Sequence, residues 1–259
     1  MAPRSGDFIR TETAGHLLIV TLDRPQVMNS LHAPACHELS AVWDAFQADP
    51  DLWVAIITGS GDKAFCAGHD LADGFDDPMP DTGWAGMAER ADITKPIIAA
   101  VNGYALGGGM EIALCSDIVI ADERARFGLT EPRVGFAALG GGAARLTLRM
   151  PPAIAMGLLL TGKKIDAAEA HRWGLVNEVV PAGTVMAAAR RWADEILLCS
   201  PLAVRATKQV ALDALEGQQL LSDIGRRREQ LGGVLRSAED TREGIKAFLE
   251  KRKPAWKGR

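Results

Sequence analysis

Apolar positions along the chain fall into two kinds of run. Residues 8–22 are strand-like and broken at Ala14-Gly15, which predicts two strands joined by a turn, the second over residues 16–22. Asp23-Arg24-Pro25 ends it. Residues 33–48 place Leu39, Val42, Trp43 and Phe46 at helical spacing, and Asp49-Pro50 stops that helix. Residues 53–58 form a short apolar run closed by Gly59-Ser60-Gly61, the pattern of a strand covered on both faces. The same plan returns: an apolar run over residues 96–101, a glycine-rich turn, a helix over residues 109–116 and a buried strand over residues 117–121. Strands alternating with helices predict an α/β architecture. Residues 73–86 are rich in Asp, Gly and Pro and predict a mobile loop. After Pro151 the texture turns helical, over residues 152–161, 167–173 and 187–198. Ser200-Pro201 reads as an N-cap followed by proline in the first turn, with helices onward to Leu249.

Composition narrows the class. The chain has 259 residues, 47% of them hydrophobic and 24% charged, enough for one large domain or a domain with a small appendage. Its net charge of −4 argues against a general nucleic-acid binder, which carries a basic face. The segment from Thr241 to the end holds seven basic and two acidic residues, a local net of +5 that reads on composition as a solvated tail. Cys36, Cys66, Cys115 and Cys199 form no CxxC pair and no zinc spacing, so they read as reduced thiols of a cytoplasmic protein. The N-terminal residues lack the apolar core of a secretory signal, and no apolar stretch is long enough for a membrane helix.

Three segments hold candidate chemistry. Lys63-Ala64-Phe65-Cys66-Ala67-Gly68-His69-Asp70-Leu71 follows a buried strand, and its small residues let a ligand approach the backbone. Asn102-Gly103-Tyr104-Ala105-Leu106-Gly107-Gly108-Gly109-Met110-Glu111 opens a helix with three glycines, so backbone N–H groups and the positive dipole end face whatever lies in front. It is neither a Walker A loop nor a dinucleotide fingerprint. Phe127-Gly128-Leu129-Thr130-Glu131-Pro132 leads to the run Gly140-Gly141-Gly142. Glu111 stands in an almost wholly apolar helix start, either as a dipole-favoured carboxylate or as a functional one, since an unpartnered buried carboxylate is costly or holds its proton. Glu131 alone reads as a turn carboxylate; two carboxylates converging beside backbone donors would make both functional. No nucleophile elbow accompanies His69, and Cys66 has no orienting third group, so a triad or a Cys–His nucleophile is disfavoured.

Together these segments resemble the crotonase superfamily, the enoyl-CoA hydratase/isomerase family. The resemblance runs from Ile19-Val20-Thr21-Leu22-Asp23-Arg24-Pro25 through Gly162, Ala167-Ala168-Glu169-Ala170 and Trp173-Gly174-Leu175-Val176 to Ala247-Phe248-Leu249-Glu250-Lys251-Arg252. Pro152-Ala153-Ile154, Arg172-Trp173-Gly174 and the ending Trp256-Lys257-Gly258-Arg259 look like the carnitinyl-CoA dehydratase branch. The resemblance implies a crotonase-type spiral of ββα units over residues 1–199, which would bind CoA and catalyse. Residues 200–259 would form a helical trimerisation region whose tail closes over the CoA site. It further implies a homotrimer or dimer of trimers, an acyl-CoA substrate, no membrane partner and no separate cofactor or metal, since coenzyme A belongs to the substrate.

Residue by residue, it implies oxyanion-hole N–H groups on His69 and Gly108, and catalytic carboxylates on Glu111 and Glu131. CoA would lie along Ala64, Ala67, Asp70 and Leu71, with Phe248 packing nearby and Lys251 as the leading partner of its phosphates. The implied reaction is addition of water to an enoyl-CoA, or its removal. Δ3-Δ2 isomerisation or thioester hydrolysis on the same platform are the alternatives, and a CoA- or RNA-binding protein without that activity stands further off. Leu139 departs from the pattern, because many hydratases carry glycine there; it falls where the acyl pocket and the catalytic water lie in relatives.

Overall fold

The computed structural model describes residue 3 and residues 5–74, 77–216, 233, 237 and 239–255. The tail Trp256-Lys257-Gly258-Arg259 lies outside the described residues, as does most of the stretch between Glu216 and Glu239, where the sequence predicts helices only.

Strands β1 (Ile9–Ala14) and β2 (Leu17–Leu22) form the expected hairpin, with Gly15 at φ 59 in the turn. β2 then pairs in parallel with β3 (Val54–Gly59), β3 with β5 (Ile97–Val101), β5 with β7 (Ile118–Asp122) and β7 with β10 (Glu178–Val180). The apolar runs are strands covered on both faces. Leu18, Val20, Ala55, Ile57, Ala99 and Val101 face the larger core, beneath α1 (Ala33–Ala48) and α2 (Gly108–Cys115). Leu17, Ile19, Val54, Ile56, Ile98 and Ala100 face a second core closed by Val185, Ala188, Ala189 and Ala193 of α6 (Val185–Leu197). Period-two alternation of the same strands feeds both layers.

The apolar pattern does not announce a second, four-stranded sheet, yet one is present. It has the order β4 (Ala64–Cys66), β6 (Tyr104–Leu106), β8 (Arg126–Gly128), β9 (Ile165–Asp166). Each of β3, β5 and β7 in the large sheet is followed by one of these short strands, and β6 and β8 lead on to α2 and α3 (Gly142–Arg149), which gives the ββα spiral. The glycines allow this crossing. A Cβ on Gly59 or Gly103 would run into the carbonyl oxygen of Ala64 or Lys63, and one on Gly109 into that of Cys66.

Among the described residues, the middle and C-terminal parts add the helices α4 (Pro152–Thr161), α5 (Ala167–Arg172) and α7 (Pro201–Glu216). Ser200 Oγ accepts from Ala203 N at 3.5 Å, the expected cap. Lys208 of α7 pairs with Asp117 at 2.8 Å. The last helix, α8 (Glu239–Leu249), packs onto the 3-10 turn Glu131–Val134, where Thr241 Oγ1 donates to Gly135 O at 2.7 Å.

The expectation of a mobile loop over residues 73–86 is corrected for its described part; Phe75 and Asp76 lie outside the described residues. Residues 78–86 are fastened to α1: His37 Nε2 donates to Pro78 O at 3.0 Å, Thr82 Oγ1 to Ser40 Oγ at 2.9 Å, and Trp43 Nε1 to Ala85 O at 3.1 Å. The physical reason is burial. Ala85, Gly86 and Met87 are buried against the core despite the polar composition around them, and Gly86 sits so close to Ser40 that any side chain would collide with its backbone. Among the described residues no helix is long and apolar enough to cross a membrane.

Candidate active site

Leu31 and His69 form a single parallel bridge: Leu31 N donates to Gly68 O and Asp70 N to Leu31 O, both at 2.8 Å. In such a bridge the N–H of His69 itself points to the opposite side. That side is where Gly107 and Gly108 approach. A Cβ on Gly68 would lie 2.9 Å from Leu106 O and 3.1 Å from Gly108 N, and Gly68 takes φ +100, so the close approach and the backbone conformation both call for glycine. Gly107 turns at φ 53 to begin α2, leaving the N–H of Gly108 in the first turn of that helix. His69 and Gly108 thus bring two backbone donors to one wall.

The two glutamates meet the same wall. Glu111 lies in the first turn of α2 and is buried at 4% exposure. Its Oε1 accepts from Gly142 N at 2.9 Å, an N–H in the first turn of α3. A helix N-terminus is a favourable place for a carboxylate, and this N–H gives the side chain a partner in its apolar setting. The glycine run makes the space: a Cβ on Gly140 would overlap Glu111 Oε2, and one on Gly142 would stand 2.9 Å from Oε1.

Glu131 opens the 3-10 turn after β8. A Cβ on Gly107 would stand 3.4 Å from Glu131 Oε1, so this carboxyl lies against the start of α2. Although the residue is only half-buried as a whole, its Oε2 is inside and has no hydrogen-bond partner among the described residues. Desolvation, followed by repulsion from Glu111, pushes its pKa up to about 8. One carboxylate held by backbone N–H and another kept protonated near neutral pH are the complementary environments of a base and an acid.

These groups line one cavity of about 730 Å³. Ala67, His69, Asp70, Leu71, Gly108, Glu111, Glu131, Leu139 and Phe248 all line it; Ala64 does not, being buried in β4, and neither does Lys251. Lys251 follows α8 at φ 54, and the neighbouring Arg252 lines the cavity instead. Arg252 is tied to Glu243 at 2.6 Å and Glu250 at 2.7 Å. Lys164, a further cation on the lining, stands 5.7 Å from the Tyr104 ring centroid. Leu139 faces the cavity while the glycines after it cradle Glu111, so it shapes the pocket without displacing the carboxylate.

Sequence reasoning misses Trp84 and Met79. Trp84 Nε1 donates to Gly108 O at 2.9 Å, and its ring covers Gly108 so closely that a Cβ there would overlap it. The available signal is two large apolar residues within an otherwise polar loop. The His69 imidazole sits 5.7 Å from that ring; its Nε2 donates to Gly74 O at 2.5 Å, and burial lowers its pKa. Burial pushes the Cys66 thiol up to about 12, so it is no thiolate nucleophile.

Comparison with known proteins shows the family. The family model described as enoyl-CoA hydratase/isomerase matches residues 12–259. A carnitinyl-CoA dehydratase of Proteus mirabilis (strain HI4320) is 43% identical, the match covering 95% of this chain and 97% of that one. An (E)-benzylidenesuccinyl-CoA hydratase of Thauera aromatica is 42% identical over 96% of this chain and 99% of its own. The crystal structure of a carnitinyl-CoA hydratase from Mycobacterium avium superposes with a TM-score of 0.89 at 40% identity, covering 98% of this chain and 100% of that one. A motif set in order, a ββα spiral and a full-length family match converge: the chain belongs to the enoyl-CoA hydratase/isomerase family of the crotonase superfamily.

Proposed function

We propose that this protein is an enoyl-CoA hydratase-type lyase, adding water to an α,β-unsaturated acyl-CoA or removing it from the 3-hydroxy product. The observation that carries the reading is the convergence of Glu111 and Glu131 on one cavity beside the backbone N–H groups of His69 and Gly108. With the thioester oxygen between those donors, charge developing on it is met by preorganised dipoles, each worth about 2.7–4 kcal/mol by analogy with measured oxyanion holes. Glu111, oriented by Gly142 N–H, takes a proton from the water that attacks the β-carbon. Glu131, carrying its proton at neutral pH, gives it to the α-carbon as the enolate collapses. Dehydration runs the same steps backward. The names of the relatives, a carnitinyl-CoA dehydratase and a benzylidenesuccinyl-CoA hydratase, fit this chemistry and differ in the acyl group. Incubation with crotonyl-CoA tests it: the expected product is 3-hydroxybutyryl-CoA, whereas release of free CoA thiol would mean hydrolysis.

The CoA moiety enters past Ala67 and Leu71, between the oxyanion wall and α8. Lys164 is the cavity-lining cation that we assign to the CoA phosphates. Lys164→Glu should raise KM for the thioester roughly tenfold with little change in kcat, as loss of uniform binding does. Lys251→Glu should leave KM nearly unchanged, since Lys251 stands off the cavity; the reverse ranking would restore Lys251 to the phosphate role.

We further read the protein as a cytoplasmic homotrimer or dimer of trimers. Four free cysteines suit a reducing compartment. Leu202 and Val210 lie eight residues apart on one face of α7, at 73% and 68% exposure, and Leu198 just before it is at 81%. A stripe of this kind needs a partner surface. Light scattering should report three or six chains at micromolar concentration, and Leu202→Glu with Val210→Glu should shift the mass downward; a wild-type monomer would refute the assembly.

A further inference from the structure

The bridge that aims the His69 N–H is one residue long and rests on two backbone hydrogen bonds. One further backbone bond, Ala67 N to Met28 O at 3.0 Å, joins the same two segments, which is far short of a full ladder. The side chain that spans the bridge itself is Arg24. Its Nη2 stands 2.9 Å from Asp70 Oδ2, on the residue after His69, and its Nη1 donates to Ser30 O at 2.5 Å, on the residue before Leu31. One planar guanidinium therefore reaches across the bridge and grips both strands. Arg24 and Asp70 side chains are each 13% exposed, so the pair is largely shielded from solvent.

Arg24 is itself held. Its backbone N–H donates to Asn29 Oδ1 at 3.0 Å, and its guanidinium lies 5.7 Å from the Phe8 ring centroid. Asn29, buried and at φ 55, sends its Nδ2 to Ala64 O at 2.8 Å and Ser60 O at 2.9 Å. The turn after β2 is thereby locked onto β4, the strand that leads into Gly68 and His69. Beneath them Gly68 N donates to Cys66 Sγ at 3.4 Å.

We infer that Arg24 is a positioning residue of the oxyanion hole: through Asp70 and Ser30 it fixes the register of the Leu31–His69 bridge, and with it the direction of the His69 N–H. It does not line the cavity. The inference rests on the hydratase reading above. Its signature is selective. Misaiming one donor weakens whatever carries charge on the thioester oxygen and leaves the rest of CoA binding alone.

The test compares two ligands on the full-length protein. Acetoacetyl-CoA is bound as its enolate, read by the near-ultraviolet enolate band, and butyryl-CoA as a neutral thioester. Arg24→Met should weaken acetoacetyl-CoA roughly tenfold to a hundredfold, as a misplacement of about 1 Å does, with butyryl-CoA changed less than about threefold. Arg24→Lys should recover part of the loss, since an ammonium reaches one of the two grips. Arg24→Met leaves Asp70 uncompensated and can unfold the loop; Arg24→Gln, whose amide still hydrogen-bonds Asp70 but cannot span to Ser30, should fold while keeping the selective loss. Equal loss for both ligands in Arg24→Gln, or no loss at all, overturns the inference. Failure of the wild type to bind either thioester overturns the hydratase reading instead.

Discussion

Glu131→Gln should lower kcat for enoyl-CoA hydration by roughly 10²–10⁴-fold, the usual range for a positioned acid or base, and Glu111→Gln by a similar factor. The two side chains line one cavity, and in the proposed mechanism they serve the two ends of a single addition, so the double variant should lose far less than the product of the two factors. Binding of the CoA thioester should survive all three changes, because the oxygen is held by backbone N–H groups that no side-chain substitution removes. KM would then move little while kcat falls. Should Glu131→Gln abolish turnover and Glu111→Gln spare it, a one-base isomerisation replaces hydration. If neither change affects any enoyl-CoA, the site does other chemistry and Leu139 is the first residue to revert to glycine.

The same glutamate should set a pH dependence of stability. Glu131 is raised from 4.5 to about 8 in the folded protein, chiefly by desolvation and then by Glu111. Between these values the folded chain keeps a proton that the unfolded chain has released. Stability therefore falls as pH rises through that window and levels off above about pH 8. Glutamine titrates in neither state. Glu131→Gln should thus be nearly neutral for stability below about pH 4.5 and increasingly stabilising above it. A tenfold difference in proton affinity between the folded and unfolded states is worth about 1.36 kcal/mol, so the gain at alkaline pH is on the order of a few kcal/mol, or several degrees in Tm. Thermal unfolding of both proteins from acid to alkaline pH measures it. A difference in Tm that stays flat, or that shrinks as pH rises, would mean Glu131 is ionised in the folded state. A more stable but inactive variant is what a strained catalytic carboxyl produces.

How much of this is legible in the chain depends on the length of each signal. β2, β3, β5 and β7 are readable because each is an apolar run of five or six residues bounded by Gly, Pro or Asp. The second sheet is not, because strands of two or three residues carry no periodicity, and their pairing arises from glycine-permitted crossings that only the folded chain shows. Glu131 stands out only through the family pattern, since by residue chemistry alone it reads as a turn carboxylate; Glu111 already stands out as a carboxylate in an almost wholly apolar helix start, and the family pattern decides between its functional and its dipole-favoured reading. The anchored segment around Trp84 looks mobile in sequence because Asp, Gly and Pro dominate its composition, while Ala85 and Gly86 insert against α1. The charge of the tail points to Lys251. The chain leaves α8 there in a left-handed conformation, and it is Arg252 that lines the cavity. Leu139 is visible as a departure from the family pattern, but the reason it is tolerated, the two glycines beside Glu111, is a matter of contact and not of pattern.

The central claim is that an enolate forms on two backbone donors, with Glu131 as the group that moves the α-proton. Butyryl-CoA isolates that step, because a saturated acyl chain cannot take up water. In D₂O the wild-type protein should exchange a C2 proton of butyryl-CoA for deuterium, seen by NMR or mass spectrometry. Glu111→Gln should retain the exchange and Glu131→Gln should lose it. Exchange that continues at the wild-type rate in Glu131→Gln, or no exchange in the wild type, would contradict the account.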